Sequence, residues 1–405
     1  MMTFNGYPRP NGRVGVRNHV VVTTTVSCAN GVVERIAKEV PGIVPIRHVQ
    51  GCDGSHGSPY FLQTLRRLCL NPNHYAIILI GLGCEKENAK ELAEQLEKAG
   101  KRVFCRTIQH DGGSEAVVRD SIKAAKLFLE GAKTENKVPC PIDKLVLGTI
   151  CGDSDAFSGI TANPVIGYMS DWLVANGGTS ILSETSELTG CEELLAERAI
   201  SKEVADKVRK IIIDTNKQMI VQLGETAGKM MSCGNMTGGL TTIAEKSLGS
   251  VKKCGHSPVV AVIDYGNPVD EFRGLVIQDG PGYVPESITG LFASGAQICV
   301  FSSGKGNPIG FPSCPIIKIC SNTAAYDAVG GDGGDIDLNA GAIITENVSL
   351  EKMGERAIKL MLDVINGKDT VSECHNMGSA VGIHKRLPVE KRCINHRIWG
   401  GPPIK

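Results

Sequence analysis

His19–Val26 reads HVVVTTTV, and this stretch decides the fold class. Every residue after His19 is β-branched, a composition that suits the pleated surface of a strand. No polar alternation interrupts the run, so it reads as a strand buried on both faces. Asn30–Val40 (NGVVERIAKEV) follows with apolar residues at helical spacing. A buried strand feeding a helix opens a parallel α/β unit.

The pattern repeats outward from there. Ile43–Val49 is a second strand, and Pro59–Leu70 has helical spacing. Tyr75–Gly81 (YAIILIG) is a continuous apolar strand, and Lys86–Ala99 an amphipathic helix ended by Gly100. Arg102–Ile108, Ser114–Leu129 and Lys144–Ile150 (KLVLGTI) continue as strand, helix and fifth strand. The middle is helical, over Pro164–Asn176, Cys191–Ala199 and Glu203–Leu223. A second α/β stretch begins near Ser257, with strands at Val259–Asp264, Gly274–Ile277, Gln297–Phe301 and Ile316–Ile319. The fold class is therefore α/β: two Rossmann-like parallel-sheet domains joined by a helical middle segment. Glycine and serine punctuate residues 225–255. They place a Cys-rich domain with a metal site over residues 1–225, and a second α/β domain with an irregular tail over residues 226–405. The N-terminal arm also reads as irregular.

Composition narrows the function. The 405 residues carry 43 basic and 43 acidic side chains. That balance gives no general attraction to nucleic acid or anionic lipid. No run of about 18 apolar residues is present to span a membrane. The polar start, Met1–Arg13, is no signal peptide. Fifteen cysteines without a secretion signal point to a reducing, cytoplasmic compartment.

Four of those cysteines follow strands: Cys28, Cys52, Cys84 and Cys151. One parallel sheet would set all four at its carboxyl edge, where α/β sheets bind ligands. Their neighbours are polar: His48 and His56 around Cys52, Glu85 after Cys84, and Asp153, Ser154 and Asp155 after Cys151. Thiolate, imidazole and carboxylate together suit iron or zinc. The metal candidates are thus His48, Cys52, Cys84 and Cys151, with Cys28 and Glu85 next.

Other loops offer chemistry of their own. Arg13 and Arg17 in GRVGVRNH have the fork geometry that clamps a carboxylate. The turns GITANP, GNMTGG and SSGKGN stand before helices or after strands, where backbone N–H groups bind anions. Lys246, in TTIAEKSLG, is a candidate base or carboxylate holder, and Glu184 and Glu187 in SETSE point toward the same edge. Asp332, Asp335 and Asp337 form an acidic Gly-rich loop that would suit Mg²⁺ or Ca²⁺. Neither a Walker loop nor a dinucleotide fingerprint is present, and GxSxG and HExxH are missing as well. The lack of CxxC argues against a redox thiol protein.

The loops together carry a resemblance. Gly12–Asn18 (GRVGVRN), His48–Cys52 (HVQGC), Gly81–Glu85 (GLGCE), Ile108–Gly113 (IQHDGG), Cys151–Pro164 (CGDSDAFSGITANP), Gly234–Gly249 and Asp335–Gly341 (DIDLNAG) occur in this order. In them the chain resembles the large C-terminal part of altronate and galactarate dehydratases, the UxaA family, and the large subunit of sulfolactate sulfo-lyase. The resemblance implies a cytoplasmic lyase that dehydrates a small hydroxy acid, an altronate- or hexarate-type sugar acid, to a 2-keto-3-deoxy acid. It implies ferrous iron; an iron–sulfur cluster with one open iron is the alternative for a thiolate-rich site. It also implies a small SAF-type domain, expected as a separate subunit, and a homo-oligomer is expected. Sulfite is the alternative leaving group, and a non-catalytic binding subunit is the reading from another class. Within the matching loops Asn18, Ser154 and Asn163 join Arg13, Arg17 and Glu184 as candidate substrate-binding groups. His56, Asp155 and Lys246 are the candidate catalytic acid or base. One position departs from the pattern: Asp153 stands where the family has glycine. The tail from Gly378 also differs from the family's ending.

Overall fold

A computed structural model describes residues 2–52, 59–85, 88–223, 231–331, 333–378 and 381–384. In chain order the strands are β1 (Thr3–Pro8), β2 (Val14–Gly15), β3 (His19–Thr24), β4 (Ile43–Pro45), β5 (His74–Gly81), β6 (Arg102–Thr107), β7 (Val138–Pro141), β8 (Val146–Gly152), β9 (Thr179–Leu182), β10 (Val259–Ile263), β11 (Gly274–Gln278), β12 (Ile298–Ser303), β13 (Ile316–Cys320) and β14 (Leu338–Asn339). Among the described residues they form three sheets. One is parallel with order β4-β3-β5-β6, and another is parallel with order β10-β11-β9-β8-β12-β13-β14. A small antiparallel sheet, β2-β1-β7, stands beside them. The α/β class and its parallel pairing are as read from the strand–helix alternation.

All eight residues of β5 are buried, as a parallel strand covered on both faces requires. Its side chains alternate between two cores. Ile78 and Ile80 pack with the helices Asn30–Glu39 and Gly113–Thr134. Ile77 and Leu79 face a cluster that runs on into Ile150, Ile181, Phe301 and Ile316 of the seven-stranded sheet. The two sheets therefore share one apolar core. A second core sits on the far face of the large sheet, where Leu147, Val300 and Ile317 meet Met353, Ala357 and Met361 of the helix Leu350–Ile365.

Two expectations are corrected. KLVLGTI does not join the first sheet: β8 pairs with β9 and β12 near the middle of the larger one. Periodicity identifies a buried strand but not its partners. Consequently the sheets divide the chain between residues 134 and 142, and residues 142–223 belong with the second sheet. The N-terminal arm, read as irregular, forms β1 and β2 and pairs with β7.

A polar seam fixes one sheet on the other. Asn71 Nδ2 donates to the carbonyls of Phe292 and Ala296, both at 2.8 Å. Asn73 Nδ2 donates to Gln297 O at 2.9 Å, and His74 Nε2 lies 2.8 Å from Ser313 Oγ. Below them the buried Lys101 Nζ donates to Asn71 O and His74 O at 2.8 and 2.6 Å. No helix among the described residues is long and apolar enough to cross a membrane.

Each parallel sheet has a switch point in its strand order. In the small sheet it lies between β3 and β5. In the large sheet it lies between β8 and β12, because the chain leaves β8 toward β9 and later resumes on the other side. Ligands bind beyond the carboxyl ends of strands at such points.

Candidate functional site

The carboxyl end of β8 carries Cys151, which is buried. β9 ends beside it, and the chain then turns sharply at Glu184, whose φ is +69°. A non-glycine residue in that left-handed region stores roughly 1–3 kcal/mol, a cost that clusters at functional positions. The turn brings Glu184 under Cys151: the Cys151 N–H donates to Glu184 Oε2 at 2.9 Å. Glu187, three residues on, receives the Cys151 thiol at 2.9 Å.

Two lysines arrive from the helix Ile243–Val251 and the turn that ends it. Thr242 caps this helix, accepting from Glu245 N at 3.1 Å. Lys253 Nζ lies 2.6 Å from Glu184 Oε2 and 2.9 Å from Cys151 Sγ, and the side chains of Lys253 and Glu184 are both 0% exposed. Lys246 Nζ lies 2.8 Å from Glu187 Oε1, with side chains 12% and 10% exposed, so this pair is the cluster's outer end.

Burial dominates the protonation pattern. It pushes the Cys151 thiol far up, and Glu184 and Glu187 push it further. Burial likewise raises Glu184 to about 7, against the opposing pull of Lys253. For Glu187 burial acts upward too, but Lys246 and Lys253 outweigh it and hold the carboxyl below its ordinary value. Burial opposes charge on both lysines, yet the surrounding thiol and carboxylates keep each raised and protonated. Two carboxylates thus stand against two ammonium groups in a buried cluster. One atom of the cluster has no partner among the described residues: Glu184 Oε1, buried and without a hydrogen bond. An unsatisfied buried oxygen is costly and calls for a ligand or a chemical role. Cys151, Glu184 and Glu187 offer donor atoms within 4.8 Å of one another, the one group of three such donors found among the described residues.

The other sequence candidates sort plainly. Cys28, Cys52 and Cys84 are exposed in the loops after β3, β4 and β5, so Cys151 does not share their sheet edge. His48 is buried with both nitrogens used: Nε2 bonds Thr24 O at 2.7 Å and Nδ1 accepts from Gln50 N at 3.1 Å. Glu85 accepts from Thr25, Leu82 and Gly83 and ties that loop. Arg17 is engaged by the protein itself. It grips both oxygens of Glu373 at 2.8 and 2.9 Å and donates to the carbonyls of Val364 and Lys368. Arg13 is paired with Asp270, and Asn18 is held by Arg9 and Ala132 O. The GRVGVRN segment is therefore a structural tie. Asp155 is equally occupied, receiving Ser158 N, Ser158 Oγ, Ser321 Oγ and Asn322 Nδ2. Asn163 bridges Gly249 O and Ser302 Oγ, and the carbonyl of Ser154 accepts from Asn235 Nδ2. Lys246 and Glu184 do reach the cluster. His56 and Asp332 lie outside the described residues.

Sequence reasoning missed Lys253. The signal was the helical spacing of Lys246, Ser250 and Lys253, four and three residues apart, which stacks them on one face.

Known proteins bear on this site. A family model described as D-galactarate/altronate dehydratase, C-terminal, matches residues 142–388. One described as D-galactarate dehydratase/altronate hydrolase, second domain, matches residues 6–133. The two matches meet where the sheets divide. The altronate dehydratase of Bacillus subtilis is 34% identical over 386 residues, covering 90% of this chain and 74% of that protein. The (2R)-sulfolactate sulfo-lyase subunit beta of Chromohalobacter salexigens is 32% identical over 376 residues, covering 92% and 94%. The L-threo-forming galactarate dehydratase of Escherichia coli is 31% identical over 414 residues, covering 96% and 77%.

Proposed function

The chain belongs to the D-galactarate and altronate dehydratase family, and from that premise we propose that it is a hydro-lyase removing water from a sugar acid by β-elimination. The observation that carries the chemistry is the buried cluster of Cys151, Glu184, Glu187, Lys246 and Lys253, with its one partnerless carboxylate oxygen.

The proton beside a carboxylate is weakly acidic, so its removal needs a base and a strong positive field for the enediolate. Glu184 Oε1 is the base: it has no partner, and burial has brought its proton affinity to about 7, near the operating pH. Lys246 stays protonated at the outer end and holds the substrate's carboxylate. Lys253 stays protonated beneath Glu184 and keeps its other oxygen fixed. The C3–O bond breaks, the departing hydroxyl takes up a proton and leaves as water, and the enol tautomerises to a 2-keto-3-deoxy acid.

We assign ferrous iron to the same cluster. The donor chemistry fits a borderline-soft divalent ion: one thiol and two carboxylates lie within reach of one another. Cys151 Sγ and Glu187 would hold it, leaving Glu184 to act as the base. Bound there, the ion would draw charge from the acid's carboxylate or its departing hydroxyl. We place the enzyme in the cytoplasm, in keeping with the fourteen unbridged cysteines among the described residues. A small SAF-type subunit is the proposed partner, supported by the sulfo-lyase relative's being named as one subunit of an assembly; self-association is proposed alongside it.

The second reading, release of sulfite from 3-sulfolactate, is favoured by that same relative's similarity over 92% of this chain. Incubation of the purified, ferrous-iron-loaded protein with altronate, galactarate and 3-sulfolactate, with and without the small subunit, separates them. Keto acid from a sugar acid is the expected product. Sulfite alone would move the assignment to the second reading, and neither product would overturn both.

A further inference from the structure

Asp153 is the residue of the CGDSD loop with an oxygen to spare. It sits at the carboxyl end of β8, two residues beyond Cys151 and at the switch point with β12. Its φ is +53°, a left-handed conformation that glycine adopts without strain and aspartate tolerates. The chain from β12 comes close at this point: Gly304 N donates to Asp153 O at 3.1 Å, and a Cβ on Gly304 would lie 2.6 Å from that oxygen. The approach sets Asn307 beside Asp153, and Asn307 Nδ2 donates to Asp153 Oδ2 at 2.9 Å. No hydrogen bond to Asp153 Oδ1 occurs among the described residues, and the side chain is half-buried. Its neighbour Asp155, by contrast, is occupied by four donors.

We propose that Asp153, held by Asn307, reads a hydroxyl of the acid's carbon chain and so selects an acid ending in a hydroxyl over one ending in a second anionic group. This rests on the sugar-acid reading above and names its substrate class, the monocarboxylic polyhydroxy acid. A carboxylate oxygen accepts hydroxyl protons well. The same oxygen set against a second carboxylate or a sulfonate meets like charge with like charge, which disfavours that acid. The Asn307 hydrogen bond fixes the direction of the side chain, as specificity by repulsion requires.

Calorimetric titration of the iron-loaded protein with altronate (one carboxylate) and galactarate (two) tests this, on the wild type, Asp153→Asn and Asp153→Gly. Asparagine keeps the shape and tolerates the backbone; glycine relieves it. The wild type should bind altronate at least about tenfold more tightly, and both variants should lose most of that preference, by weaker altronate binding and stronger galactarate binding. Equal affinities in the wild type, or an unchanged ratio in variants that melt normally, would overturn the proposal, as would failure of both acids to bind. Keto-acid formation is followed in parallel. Selective binding without turnover would leave the selection standing and sink the dehydratase reading.

Discussion

Lys253 and Glu184 set the energetic stakes of the site at the scale of single residues. Both are fully buried and 2.6 Å apart, so removing one leaves the other's charge uncompensated. Lys253→Met is expected to cost about 3–5 kcal/mol in denaturant unfolding; a loss below about 1 kcal/mol would show that the pair is not charged as described. Glu184 also sets a pH dependence. Its proton leaves near 7 rather than near 4.5, and the base must be ionised to act. The profile of kcat/KM should therefore rise through an acid limb centred near 7, whereas a flat profile from about pH 5.5 to about 8.5 would remove Glu184 from that role. These residues were unevenly legible in the sequence. Cys151 announces itself at a strand end, and Glu184 in a polar loop after an apolar stretch. Lys253 hides in a Lys-Lys pair that reads as solvated surface, and only its helical phase with Lys246 betrays it.

At the scale of elements, the strands are almost all readable and their partners are not. YAIILIG and KLVLGTI have the same apolar character, yet one is central to the small sheet and the other lies near the middle of the large one. Backbone pairing is set by the shared core, which no local period records. The GRVGVRN segment shows how the same residue type serves the fold. Its arginines look like ligand clamps because guanidinium forks suit carboxylates, and Arg17 does grip a carboxylate, but that of Glu373. The seam between the sheets gives a measurable consequence. Burial keeps His74 neutral, its proton affinity well below the usual 6.5. Below about pH 6.5 the unfolded chain takes a proton that the fold refuses, so stability falls as pH drops through that region. The urea midpoint should fall between about pH 7.5 and about 5.5, and His74→Gln should reduce that slope, with His19 and His48, which burial also lowers, supplying the remainder. An equal slope in the variant would place the pH sensitivity elsewhere.

At the scale of the molecule, two parallel sheets share a core and present separate switch points. Exposed Cys28, Cys52 and Cys84 border the edge of the small sheet, and the buried, charge-balanced cluster lies at the edge of the large one. We propose that proton removal and enediolate stabilisation take place at the second edge, where a glutamate with a raised proton affinity, a partnerless oxygen and two protonated lysines meet. Glu187 links the outer lysine to the buried thiol, so it is the residue on which the arrangement turns. Its replacement by glutamine keeps the shape and removes the charge. The most direct test is kcat for keto-acid formation from altronate by iron-loaded Glu187→Gln, measured beside its melting temperature. A loss of at least about 100-fold is expected in a protein that still melts cooperatively; turnover within about threefold of the wild type would contradict this role for Glu187.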